Sequence, residues 1–201
     1  MIRDLQCGQT VVPDAIDMRV VDNLRNRYGF TLNDDFLSQM SSCHGGRPQI
    51  ATFEVNGEQW PIGQFLTLLD NHSDLVPPSR PHFDHSDIDE RAIDSINYLV
   101  DGEHSTSRAL FEGLMPFAAT AVEMCLDRAY VNLLCLDHRV AKAEPSVVMW
   151  LADEANEAYM DWDEEYDPFE DDDENAYRNV PWDTFLSPVS PSFRDFVQSL
   201  Q

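Results

Sequence analysis

Along residues 14 to 28, "DAIDMRVVDNLRNRY", apolar side chains recur at Ile16, Val20, Leu24 and Tyr28, with Val21 adjoining the stripe. A period of about 3.6 residues predicts an amphipathic helix, with Asp14 as its cap and Gly29 as its stop. "TLNDDFLSQMSSCHGG" predicts a second helix. Asn33 can cap it, Asp34 and Asp35 suit its positive end, and Phe36, Leu37 and Met40 make its inner face. Gly45 falls where a left-handed residue closes a helix. Phosphate-cradling glycines lead from a strand into a helix N-terminus, and here the order is reversed. Gly45-Gly46 therefore reads as a helix stop and turn.

The period then changes to two. Ala51, Phe53 and Val55 alternate with Thr52 and Glu54, and Asn56-Gly57 suits a two-residue hairpin turn. "WPIGQFLTLLD" reads as an apolar connector or short helix. Residues 75 to 85 form a Pro-rich loop, and "SDIDERAIDSINYLVDG" carries Ile88, Ala92, Ile96 and Leu99 on one helical face. After a loop at 103–108, "LFEGLMPFA" leads into "VEMCLD" and "AYVNLLCLDHR", both rich in strand formers, and "PSVVMWLAD" reads as a further strand. Adjacent buried strands without helices between them predict an antiparallel sheet. "SPSFRDFVQSL" predicts a closing helix with Ser190 as cap, Pro191 at its first position, and Phe193, Phe196, Val197 and Leu200 facing inward. The expected fold is α+β. A single domain over 1–201 has a central, mostly antiparallel sheet flanked by helices, interrupted by an acidic insertion at about 153–179.

Charge changes this picture most. The formal net charge is −24 and Lys142 is the only lysine. Such a surface repels nucleic-acid backbones and anionic membranes, which excludes both as expected partners. It attracts basic proteins, although solubility or a salty cytoplasm would also account for it. Residues 153 to 174 contain no Lys or Arg, yet Tyr159, Trp162, Tyr166 and Phe169 are interleaved with the acids. A purely solubilising loop has little use for aromatics.

Candidate chemistry is sparse. His82, Asp84, His85 and Asp87 could ligate a metal, but Asp87 lies where a helix cap belongs. No nucleophile elbow, zinc-protease or phosphate-loop pattern occurs, so no catalysis and no cofactor are expected. Cys7, Cys43, Cys125 and Cys135 are scattered, which suggests neither a zinc ribbon nor a dense disulfide framework. Cys125 and Cys135 read as buried free thiols. The N-terminus lacks a signal-peptide pattern and no run is long enough to span a membrane, so a soluble cytoplasmic protein is expected.

Several blocks in order resemble the SUKH superfamily, which includes bacterial immunity proteins and the fungal cell-wall-synthesis regulator. They are "VVDNLRNRYGFTLNDDFLSQMSSCHGGRP", "GLMPFA", "VNLLCLDHR", "PSVVMW" and "SPSFRDFVQSL". The resemblance implies an α+β fold without catalysis, and an immunity protein that neutralises a cognate toxin by direct binding. Nuclease-type toxins are basic because they hold phosphate backbones. The expected partner is therefore a basic nuclease domain, bound by a monomer or weak dimer. The expected contacts are Trp162, Glu164, Glu165, Tyr166, Asp167, Phe169, Glu170, Asp171, Asp172 and Asp173. The alternative is a regulatory scaffold that binds endogenous proteins.

Overall fold

A computed structural model describes residues 7, 16, 18–46, 48–49, 51–66, 68, 113–120, 132–140, 144–151, 154 and 182–201. Among them are three α-helices and a six-stranded antiparallel sheet, so the chain has an α+β fold with helices packed on the sheet. No helix among the described residues is long and apolar enough to cross a membrane.

The first helix, α1 (Met18–Tyr28), buries Val20, Val21 and Leu24, the stripe that the 3.6-residue period marked. Gly29 stops it at φ +74°, donating its N–H to the Arg25 carbonyl, while Phe30 donates to Leu24. In α2 (Asp34–Cys43) the Asn33 carboxamide oxygen accepts the Phe36 N–H at 2.8 Å. Phe36, Gln39, Met40 and Cys43 face inward at helical spacing. Gly45 adopts φ +65° and Gly46 donates to the Cys43 carbonyl, as a helix stop requires. Their own carbonyls accept from Gln64 Nε2 and the Phe65 N–H. The pair thus turns acceptors toward the sheet, the wrong polarity for a phosphate.

The hairpin of β1 (Thr52–Val55) and β2 (Glu58–Phe65) turns through Asn56 and Gly57, both at positive φ. That conformation matches the right-handed strand twist, and explains the Asn-Gly pair. The stretch expected as a connector or short helix from Trp60 onward instead continues β2 as far as Phe65. Pairing on both edges, with β1 and with β3 (Leu114–Thr120), outweighs Pro61 and Gly63, and a register shift between Ile62 and Gln64 absorbs the irregularity. The strands β4 (Leu133–Asp137), β5 (Ser146–Trp150) and β6 (Leu186–Ser190) complete an up-and-down meander in the order β1 to β6. Every residue of β4 is buried, so apolar side chains run on without alternation. The predicted helix at 86–102, the Pro-rich loop and the "VEMCLD" strand lie outside the described residues.

The last helix, α3 (Phe193–Ser199), starts two residues later than expected. Its cap is Ser192, whose Oγ accepts the Asp195 N–H at 3.1 Å, and not Ser190. Ser190 is held in β6 opposite Val147, and its hydroxyl donates to the Ser192 carbonyl. Phe193, Phe196, Val197 and Leu200 are buried, as the pattern required. The sheet curls until its edges β1 and β6 approach within 8 Å, Cα to Cα. Gln201 and Thr52 exchange two backbone hydrogen bonds, of 3.1 and 3.2 Å, which cover the outer edge of β1.

Phe117 centres the main core. Its ring lies 5.5 Å from Phe193, 5.8 Å from Phe196, 6.0 Å from Phe36 and 6.4 Å from Phe65. His44 is fully buried, and its Nε2 accepts the Leu68 N–H at 2.8 Å. A smaller cluster of Leu114, Leu133, Cys135 and Val148 occupies the opposite face of the sheet. Cys135 is a buried free thiol, as expected, and Cys125 lies outside the described residues. Cys7 and Cys43 form a disulfide that the spacing of the cysteines did not reveal.

Candidate interaction site

All ten residues expected to contact a partner, from Trp162 to Asp173, lie outside the described residues, as do His82, Asp84 and His85. What the structure does place is the root of the acidic segment. The chain leaves the sheet after β5, at Leu151, and returns through a 3-10 turn, Trp182–Phe185, into β6. These two points are adjacent because β5 and β6 pair antiparallel. The Leu151 N–H donates to the Phe185 carbonyl at 2.9 Å, so the two ends of the segment are held side by side.

A charged clasp secures the returning end. Asp137 closes β4, and period two puts Leu133, Cys135 and Asp137 on the second face of the sheet, with Arg139 two residues beyond the strand's end. The Arg139 guanidinium binds Asp137 in bidentate fashion, with Nε to Oδ1 at 2.9 Å and Nη2 to Oδ2 at 2.8 Å. The Arg139 backbone N–H also donates to Asp137 Oδ1. The remaining guanidinium nitrogen, Nη1, pairs with Asp183 in the 3-10 turn. One side chain thus ties the β4 end to the chain that enters β6 from the acidic segment.

Gly113 makes room for this clasp. It sits at φ +75°, and a Cβ there would stand 2.5 Å from Arg139 Cγ. Conformation and space both require glycine. The Gly113 carbonyl accepts the His138 N–H at 2.8 Å, which sets the next residue, Arg139, against it.

The local electrostatics favour a fixed ion pair over reactive chemistry. Hydrogen bonding to Asp137 holds the Arg139 guanidinium charged against the desolvation of its partial burial, and the charge of Asp137 and the contact with Asp183 add to it. Burial pushes the Cys135 thiol far up, and Asp137 adds to the rise, so it is no nucleophile. The partly buried His138 imidazole, packed 5.0 Å from the Phe30 ring, is pushed down by desolvation despite Asp137. No group of three or more potential metal ligands occurs among the described residues.

Charge is divided unevenly along the sequence, whose formal net charge is −24. Residues 155–181 alone hold eleven acids and one arginine. The exposed Glu54 and Glu58 flank the hairpin tip at the same end of the sheet from which this segment departs. Sequence reasoning found the acids and missed the clasp, although Asp137 and Arg139 two apart at a strand end was a legible signal. No family model, curated protein or solved structure matches the chain.

Proposed function

We propose that this chain is a non-catalytic binding protein, an immunity protein that neutralises a basic, nuclease-type toxin through its acidic segment. The concentration of charge carries the reading: residues 155–181 alone hold ten of the twenty-four net negative charges. A general need for solubility would be met by acids spread over the whole surface. Concentrated acids steer a basic partner, while Trp162, Tyr166 and Phe169 supply the apolar contacts that hold it. Roots fixed at Leu151–Phe185 and Arg139–Asp183 reduce the conformational entropy lost on binding. The resemblance to the SUKH superfamily supplies the partner class.

Co-expression with the polypeptide encoded beside its gene tests this. Survival should be rescued, and pull-down should weaken as salt rises. Replacing Asp171, Asp172 and Asp173 together by Ser should weaken binding and flatten its salt dependence. If the swap alters solubility alone, the acidic segment is only a solubilising loop. If the neighbour is harmless and unbound, the chain serves endogenous partners as a scaffold.

A further inference from the structure

Cys43 is the last residue of α2 and is fully buried, whereas Cys7 is half-buried. Their Cα atoms stand 5.3 Å apart, inside the range that a disulfide spans without backbone movement. Three further features bear on this bond. Cys7 pairs with Pro48 as an isolated antiparallel bridge, so a backbone contact as well as the bond places the N-terminal sulfur by the end of α2. Gln39 Nε2 lies 3.4 Å from Cys43 Sγ, one helical turn back, and fixes the second sulfur. Beyond Cys43 the chain is locked by the Gly46 to Cys43 turn, and by the Phe65 N–H on the Gly46 carbonyl.

From this geometry we infer that Cys7–Cys43 is a structural staple, which the native fold itself protects from thiol exchange. An external thiolate can reach only the Cys7 sulfur, since Cys43 is wholly enclosed. That attack would form a mixed disulfide at Cys7 and expel a Cys43 thiolate. The leaving thiolate would be enclosed at the negative end of a helix dipole, which disfavours an anion there although the Gln39 amide donates toward it. The Cys7–Pro48 bridge would keep Cys7 in place, so the expelled sulfur would re-attack at once. Formation balances as two thiols plus one low-molecular-weight disulfide giving the Cys7–Cys43 bond and two low-molecular-weight thiols. Cys135 does not compete, because it is fully buried on the other face of the sheet and its thiol is pushed up by burial.

Folding and bond formation stabilise one another by the same factor, as any thermodynamic cycle requires. The bond joins residues 36 apart. A crosslink of that span favours the native state by roughly two to three powers of ten on the chain-entropy account. The native chain should therefore need several-hundred-fold more reducing glutathione buffer to open the bond than the urea-unfolded chain. The test equilibrates the full-length protein over a series of reduced to oxidised glutathione ratios, with and without urea. Acid quench, alkylation and peptide mapping then follow Cys7 and Cys43 individually. A native midpoint displaced by a factor of about 100 or more supports the staple. Midpoints within tenfold of each other would overturn it, because the fold would then do nothing to hold the two sulfurs together. So would a fully air-oxidised native sample in which both residues still alkylate. A Cys7→Ser variant adds a check that needs no redox buffer. Its melting temperature should fall to that of the reduced wild type and be indifferent to reductant.

Discussion

Replacing Arg139 by Met should destabilise the protein more than its position at the end of a strand suggests. The guanidinium holds two carboxylates that differ in burial: the Asp137 side chain is 10% exposed and that of Asp183 is 83% exposed. Without Arg139, Asp137 keeps its charge in a nearly closed site. Stranding a buried charge in this way costs about 3–5 kcal/mol in full burial. Arg139 is itself one-third exposed, so water relieves part of that, and about 2 kcal/mol is expected. For a chain of this size this corresponds to a fall in Tm of about 4–8 °C. Asp183→Asn removes the exposed half of the clasp and should cost under about 0.5 kcal/mol. Urea melts of wild type, Arg139→Met, Asp137→Asn and the double variant close a cycle. The double variant should be more stable than Arg139→Met alone, with a coupling of about 1–2 kcal/mol and unchanged m. If Arg139→Met lies within about 0.5 kcal/mol of wild type, or the double variant is no better than the single one, burial does not decide the strength of this pair.

Phe117→Ala should cost about 4 kcal/mol, since four phenylalanine rings lose a shared neighbour, whereas Phe117→Leu should cost about half as much; urea midpoints of the two variants check the order. Burial lowers the His138 pKa from 6.5, so below pH 6.5 the unfolded chain binds its proton more readily than the folded one. Stability should therefore fall as pH drops from 6.5 toward the lowered folded value. His138→Gln should flatten that part of the curve, measured as Tm against pH between 5 and 7.

Elements whose side chains meet water on one side were legible in the sequence. The stripe of α1, the Asn33 cap of α2 and the Asn-Gly hairpin each carry a local rule that packing then obeys. Local rules failed where tertiary pairing outweighed them. Pro61 and Gly63 argue against a strand, yet β2 runs through both because it has a partner on each edge. In "LSPVSPSF" the strand β6 hides because Pro188 and the serines break every strand pattern, and only pairing with β5 fixes it. The same pairing moved the cap from Ser190 to Ser192. The Cys7–Cys43 bond was illegible for a different reason. Nothing in a separation of 36 residues reveals that Cys7 meets the end of α2. Of the candidate site, the sequence displayed the acids, the aromatics and the Asp137–Arg139 half of the clasp, but not its second carboxylate, which comes from 44 residues away.

Salt separates the two roles that so acidic a chain can play, because it acts on them with opposite sign. A net charge of −24 on one chain repels itself, and added salt screens that repulsion and stabilises the fold. Binding of a basic partner is attractive, and the same screening weakens it. Residues 155–181 hold ten of the twenty-four net charges, so a large share of the self-repulsion arises in the segment that the binding proposal uses. The Asp171–Asp173 swap to Ser therefore reads out twice. It should make stability less dependent on salt whether or not a partner exists, because three like charges have gone from a dense cluster. It should make affinity less dependent on salt only if those charges face the partner. A swap that changes the first slope and leaves the second untouched assigns the segment to solubility. A swap that changes both assigns it to recognition.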